Sequence, residues 1–544
     1  MESYRRVPAW AAALVGLVAG AVALGVSWLV AGLVKASAFP VLVVGDSAVD
    51  LSPSWLKEWA IRTFGEADKI VLLSGVSVVL AALAAGIGIL ASRDLRYGHA
   101  GLAVLGAIGV AAALTRPGAG LADTLPVLAG VAAGMVALSR LTRRALASGS
   151  DSPRPPTGGA PERRPAAGAE EPDHVLRPSV MRAGEDLRSF DRRGLLTGLL
   201  GGVAVAGVAG AAGRLLSGGA EVDAARVGLA LPTPAAPAGP VPAGSDLKIK
   251  GLSPFFTPNR DFYRVDTALI VPQVDPGDWT LRIHGMVDRP IELTFADLVK
   301  RPLVEADVTL CCVSNEVGGP YVGNARWLGA RLSDVLREAG VRKDADMLLS
   351  VSADGWTCGT PLDVVMDGRD SLLAIAMNGE ALPVDHGFPA RQVVPGLYGY
   401  VSATKWVTEI KVTRFDRDQA YWTPRGWAAK GPIKTQSRID LPKSGASLRP
   451  GRTVIAGVAW AQHKGVDAVE VRVDRGEWRQ ARLAEAPTAD TWRQWVLDDW
   501  DAVPGTHTIQ VRATDATGYT QTSEVTAVAP DGATGWHTVE VTVA

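Results

Sequence analysis

Val308-Thr309-Leu310-Cys311-Cys312-Val313-Ser314-Asn315-Glu316 holds two of the three cysteines in a chain of 544 residues, and its reading decides the fold around it. A β-branched run enters the stretch from Asp307, and a polar, glycine-rich segment from Ser314 to Gly319 leaves it. That pattern predicts a strand ending in a loop, which is where scaffolds present reactive side chains. An isolated cysteine is most often a buried small hydrophobe, so the surrounding residues must decide between packing and chemistry. Three cysteines, two of them adjacent, cannot form a disulfide framework, and stability has to come from apolar cores.

Outward from this stretch the chain divides in two. Before residue 215 it is Ala/Val/Leu/Gly-rich, and after residue 245 it has the mixed, Trp-bearing composition of soluble protein. The mean hydropathy of +0.15 averages these halves, and the length predicts about three or four domains. A formal net charge of -1 without a concentrated basic face excludes nucleic acid as a partner.

Ala9 to Val34 runs without a charge, longer than the roughly 20 residues a spanning helix needs. Further apolar runs lie at Ile70 to Ala91, Ala100 to Leu114 and Leu125 to Leu138, the last two short enough to leave a buried or re-entrant helix open. Arg5, Arg6, Arg93, Arg96, Arg140, Arg143 and Arg144 mark cytoplasmic segments, giving a four-helix membrane region over 1–144 with its N-terminus inside and lipid as its partner. Residues 145–190 have the Pro/Gly/Ala/Arg/Glu composition of a disordered cytoplasmic linker. The linker ends in Phe190-Asp191-Arg192-Arg193, before a weakly apolar run that predicts a fifth span over 191–214. The two arginines read either as a twin-arginine export signal or as positive-inside residues, and both readings place the chain beyond residue 215 outside the cytoplasm. An Ala/Pro-rich linker over 215–246 comes next. His99 is the only histidine before residue 145, too few for the paired axial ligands of a membrane haem, so no haem is expected. No span carries a charge deep inside it, which argues against a transporter.

In the soluble half, Phe255 to Thr267 opens with a Thr-Pro-Asn turn, and Trp279 to Gly285 alternates as a strand. Thr294 to Val299 predicts a short capped helix, and another is framed by Ser333 as N-cap and Gly340 as C-terminal glycine. Met347 to Ser352 and Ser371 to Met377 predict buried strands, Cys358 reads as packing, and His386 lies in a glycine-flanked loop ahead of a strand begun by Arg391. From 432 to 544, alternating runs such as Val454 to Trp460 and Gly505 to Asp515 suggest an immunoglobulin-like sandwich, with its tryptophans and His507 in core and turn packing.

Several ordered motifs resemble the sulfite oxidase family of molybdopterin enzymes: Cys312-x-x-Asn315 after a Val-Thr-Leu strand, Asn324 to Leu332, Met377-Asn378-Gly379-Glu380 through Asp385-His386-Gly387-Phe388-Pro389 to Val394-Pro395-Gly396, and Thr404-Lys405-Trp406. The resemblance covers about residues 247–415 and continues into that family's C-terminal dimerisation domain. The resemblance implies an α+β sulfite-oxidase-type molybdopterin domain over 247–420, beside the helical membrane anchor of about five spans that the apolar runs predict and the all-β immunoglobulin-like sandwich over 432–544 that the alternating strands predict. It also implies a bis-oxo molybdenum centre with a single pterin, for which a soft thiolate is the fitting side-chain ligand. The motif puts that ligand at Cys312, and strand alternation then turns Cys311 to the opposite face as packing.

By the same resemblance the pterin and its phosphate are held by His386, Arg391, Ala403, Thr404 and Lys405, with Asn259, Tyr263 and Arg264 closing the pocket and Asp354 a looser match. Catalytic residues are expected at Cys312, Arg264 and Tyr421. The family's sulfite-binding arginines just beyond Asn315 are replaced here by Glu316-Val317, so the substrate is expected not to be sulfite. The implied activity is two-electron oxygen-atom transfer on a small molecule, with a separate electron-transfer partner and a second copy of the chain as a candidate partner. The competing reading is a cell-surface binding protein that keeps the fold without turnover.

Overall fold

A computed structural model describes residues 7–35, 38–53, 56, 59, 63, 68–115, 120–146, 192–216 and 219–544. Arg5, Arg6, Phe190, Asp191 and almost all of the expected linker at 145–190 lie outside the described residues. The chain forms two compact units, Met1–Ser217 and Gly218–Ala544.

The first unit is helical: α1 (Ala9–Val34), α2 (Pro40–Leu51), α3 (Asp68–Arg93), α4 (Leu95–Leu114), α5 (Leu125–Leu146) and α6 (Arg192–Leu216). All but α2 are long and apolar enough to cross a membrane. The two runs that look short in sequence are helices of 20 and 22 residues. Asp94 accepts a hydrogen bond from the Arg96 amide and starts α4 early, and α5 runs on through Arg143 and Arg144. Contact between two of these helices rests on close backbone approach at small residues. Gly16 of α1 and Gly88 of α3 meet in this way: a Cβ on Gly16 would overlap the Ala84 carbonyl, and one on Gly88 the Ala12 carbonyl. His99 bonds Ser139 Oγ at 2.8 Å, joining α4 to α5.

The second unit begins with α7 (Gly219–Val227), inside the stretch expected as a spacer. Val222, Leu229 and Leu231 pack into a core, and Ala236 bridges Val304, so 219–246 is part of the fold. Ten strands come next: β1 (Thr280–Gly285), β2 (Ile291–Thr294), β3 (Leu303–Cys311), β4 (Val322–Arg331), β5 (Met347–Ser352), β6 (Thr357–Pro361), β7 (Leu372–Met377), β8 (Glu380–Ala381), β9 (Arg391–Val393) and β10 (Val407–Thr413). They form two sheets, ordered β2-β1-β10-β5-β6 and β3-β4-β7-β8, with β9 pairing β7. Between them runs a core that includes Leu281, Ile283, Leu373, Ile375 and Ile410.

Thr294 caps α8 (Phe295–Val299) in a reciprocal pair with Asp297, as the sequence suggests. Ser333 is not an N-cap. Strand β4 feeds directly into α9 (Leu332–Ala339) through Arg331, and the Leu332 amide bonds the Ser371 carbonyl, so Ser333 falls in the first turn. Gly340 ends α9 at φ 72°, a conformation open to glycine.

Residues from Gln436 onward form two more sheets, of four and five strands, whose facing side chains make one core from Ile439 to Val543. The segment Asp490–Trp492, just before the four-stranded sheet's strand Arg493–Ala502, reaches β3: the Thr309 amide bonds the Asp490 carbonyl, and Thr309 Oγ1 accepts from the Trp492 amide at 2.8 Å. Strand β3 is an edge of its sheet, and Ala235 and Asp490 between them satisfy backbone groups an edge would otherwise expose.

Candidate active site

Strand β3 pairs with β4 in register from Leu303 against Ala330 to Cys311 against Val322 and stops there. Cys311 is fully buried in the intersheet core and donates weakly to the Cys312 carbonyl at 3.5 Å. Cys312 comes one residue past the strand end, with its thiol 2.9 Å from Ser314 Oγ. Burial pushes the Cys312 thiol up, and the Ser314 hydroxyl opposes that rise. A thiol in this setting becomes a thiolate when a cation supplies the compensating charge.

Asn315 closes the loop. Its Oδ1 accepts from the Tyr321 amide at 2.8 Å, while its Nδ2 is buried with no acceptor. Two residues not expected from sequence hold the loop from the far end of the chain. Arg438 donates to the Gly319 carbonyl at 2.9 Å and pairs with Asp440 at 2.7 Å. His537 rests against Gly318, which at φ 78° has no room for a side chain, and burial lowers the His537 pKa to about 4. Glu316 is exposed.

Tyr263 lies between this sulfur end and a cationic end. Burial raises its pKa, the nearby Cys312 and Cys311 thiols add to the rise, and Arg391 opposes it. A Cβ on Gly399 would come 3.7 Å from the Cys311 carbonyl and 3.9 Å from both Tyr263 Oη and Ala403 Cβ, so the strand end, Tyr263 and the 403–405 loop meet there.

His386, 4% exposed, faces the Asn259 carbonyl with Nε2 at 3.2 Å and sets its ring edge-on to Phe262. Its pKa falls to about 4, first through burial and then through Arg391 and Lys405, against the pull of Asp385. Arg391 opens β9 and donates to the His386 carbonyl at 3.0 Å, its guanidinium 4.9 Å above the Trp327 ring. Burial lowers its pKa to about 10, and its Nε has no acceptor. Lys405 Nζ reaches Asp266 Oδ2 at 2.6 Å and the Asp385 carbonyl at 3.1 Å, and burial lowers its pKa to about 8. Arg264 Nε meets the same Asp266 oxygen at 2.9 Å.

The structure therefore gathers Cys312, Asn259, Tyr263, Arg264, His386, Arg391, Ala403, Thr404 and Lys405 around one region, with one qualification. Asn259 turns its carbonyl to His386 and uses its side-chain amide on the Met377 carbonyl. Asp354 caps its own turn through the Trp356 amide, and that turn meets the segment after Lys405 through the Ala353 amide on the Trp406 carbonyl. Tyr421 contacts edge strand β6 through Thr357, meets the Trp422 ring edge-on and lies 3.7 Å under the Arg425 guanidinium. Cys358 is buried beside Thr360, as expected of a packing residue. Asp266 was not among the expected site residues either, although it stands two positions beyond Arg264 in a stretch whose sequence already draws notice.

Among the described residues no three His, Cys, Asp or Glu side chains gather as a metal cage. What does gather is a single thiol at one end and, at the other, buried cations with an unsatisfied guanidinium nitrogen. That donor set fits a cofactor which brings its own metal ligands and an anionic tail.

The family model and the curated relatives point the same way. Residues 268–422 match the oxidoreductase molybdopterin binding domain. Rat mitochondrial sulfite oxidase is 32% identical over 290 residues, 45% of this chain and 53% of that protein, so the chain spans about half the length of such relatives. The uncharacterized oxidoreductase YuiH of Bacillus subtilis (strain 168) is 36% identical over 157 residues, 29% of this chain and 76% of that one. Among solved structures, the sulfane dehydrogenase SoxCD of Paracoccus pantotrophus aligns with a TM-score of 0.45 at 26% identity, over 55% of this chain and 87% of that one.

Proposed function

This chain belongs to the sulfite oxidase family of molybdopterin-dependent oxidoreductases, and we propose that it works as a membrane-anchored, extracytoplasmic enzyme of two-electron oxygen-atom transfer. The observation that carries the reading is that the strand end leading to the buried Cys312, the Tyr263 hydroxyl and the 403–405 loop of the cationic cradle meet around Gly399. When bound, the cofactor supplies a metal that cycles by two electrons while an oxygen atom is exchanged with substrate. Cys312 would hold that metal as its single protein ligand, with one pterin bound and no haem. Arg391, Lys405 and His386 would hold the anionic tail, Arg391 using the Nε that now lacks an acceptor. Ser314, as donor to the Cys312 sulfur, stabilises its thiolate form.

The substrate we infer is a small molecule of low negative charge, not sulfite, because Glu316 replaces a cation in the loop that Arg438 and His537 fix. Electrons would pass to or from a separate carrier. The last two sheets are read as an immunoglobulin-like module through which a second copy pairs. In the helical unit, Arg93, Arg96, Arg140, Arg143 and Arg144 support an N-terminus inside and the second unit outside, with Arg192 and Arg193 opening α6 as an export signal.

The test is molybdenum and pterin analysis of the full chain purified in detergent from cells that make the cofactor, followed by turnover of sulfite, sulfoxides and N-oxides with artificial redox dyes. Stoichiometric metal and dye-coupled turnover of a neutral sulfoxide or N-oxide are expected. A folded chain without either metal or pterin would end this reading. Lysine in place of Arg192 and Arg193 should leave the second unit inside the cell, and normal export would remove the signal from the proposal.

A further inference from the structure

The cationic end of the site carries an anion of its own. The Asp266 carboxylate is 4% exposed, and a single oxygen, Oδ2, meets Lys405 Nζ at 2.6 Å and Arg264 Nε at 2.9 Å. Arg391 stands close enough to Lys405 to act on it electrostatically. Arg264 and Asp266 are near neighbours in sequence, whereas Lys405 comes from a loop 139 positions away, so the carboxylate ties the opening segment of the domain to the 403–405 loop.

Like charges held together out of water repel strongly, and a cluster of Arg264, Arg391 and Lys405 needs an anion to stay folded. One carboxylate beside Lys405 and Arg264 opposes that repulsion, but leaves Arg391 Nε without an acceptor. The same carboxylate would repel any phosphate seated on Lys405. A phosphate dianion brings more charge and three acceptor oxygens, so it can compete for Lys405 where a weakly bonding monoanion cannot.

We propose that Asp266 is a stand-in anion, which holds Lys405 and Arg264 while the site is empty and yields Lys405 when a phosphate-bearing ligand is seated. The idea rests on the reading of this cradle as the site of the pterin phosphate, and deepens it. Asp266 keeps the unloaded domain folded, and it sets a threshold that weak anions do not pass. Asp266 is thus a positioning residue for loading, without contact to reacting atoms.

The experiment uses the full chain, made in cells unable to synthesise the pterin and purified in detergent, with inorganic phosphate as the probe in calorimetric titration and thermal unfolding. Asp266→Asn is expected to bind phosphate about tenfold more tightly than the unaltered chain and to melt lower without phosphate, while Asp266→Glu restores both values. A carboxylate that is only structural would lower melting with no gain in affinity. That result, unchanged affinity, or no phosphate binding by either protein overturns the proposal. If Asp266→Asn folds only when phosphate is added, the proposal stands; if neither it nor Asp266→Ser folds at any phosphate concentration, the proposal falls. The underlying cofactor reading is judged separately by metal and pterin content of the unaltered chain from cofactor-making cells.

Discussion

The two ends of the site are built by opposite means. At the sulfur end a single thiol sits one residue beyond a strand, and the loop around it is held by groups more than a hundred residues away, Arg438 and His537. At the cationic end, Arg264 and Asp266 come from one short stretch, and His386, Arg391 and Lys405 from another. The first end balances its nearby Arg438 with Asp440, whereas the second crowds three cations around one carboxylate. Chemistry that needs one soft ligand can stand on a strand end, whereas an anion grip needs several cations and something to keep them together while empty.

The sharpest way to break this contrast is at Cys312. Cys312→Ser should remove the thiolate-to-metal absorption and lower turnover by more than about a hundredfold, while Cys311→Ser should keep the band and lose only about 1–3 kcal/mol of stability. A vanished band in the Cys311 variant alone would reverse the assignment. Next in size is Arg391→Ala, which strips the cradle of its buried guanidinium and the contact with Trp327. Loss of about 2–5 kcal/mol in cofactor binding is expected, read as pterin lost on dialysis. Retention equal to the unaltered chain would mean that the tail is held elsewhere.

The pH dependence of the cofactor-free chain gives a smaller effect. His386 binds its proton at about 4 in the folded state against an ordinary 6.5. The unfolded chain therefore holds more protons between those values, and stability falls as pH drops from about 6.5 to about 4 and levels below that. Denaturation at a series of pH values should show His386→Gln removing up to about 3 kcal/mol of that fall. What slope persists reports in part on His537, whose folded value is also about 4. The smallest effect belongs to exposed Glu316. Glu316→Gln should lower KM for an anionic substrate by about threefold or less at low salt and leave kcat alone. A large change in kcat would place Glu316 at the reacting atoms.

Much of this architecture is legible in the residues alone. Strand β3 and its abrupt end, the Thr294 cap and Gly340 follow from local preference, which needs only neighbours in sequence. The cradle residues stand out because they occur in ordered motifs. The missing pieces depend on long-range contact: Arg438 and His537 lie in what reads as ordinary strand sequence, and nothing nearby marks them as partners of Gly319 and Gly318. Asp266 was within reach, since a carboxylate among cations in an aromatic stretch is a signal of charge pairing. Ser333 misleads because serine favours N-caps generally, while here the strand runs into the helix without a break. The segment 219–246 misleads for a related reason, since proline-rich composition describes backbone stiffness and is silent on which strand edge the segment covers.

That edge has a consequence for how the protein is made. Thr309, three residues before Cys312, waits for the backbone of Asp490 and the amide of Trp492. A ribosome must therefore deliver about nine-tenths of the chain before the strand bearing the sulfur is covered on its outer side. Until then the nascent domain offers an open template for pairing with another chain. A truncation before residue 490 should therefore leave inclusion bodies in place of folded protein.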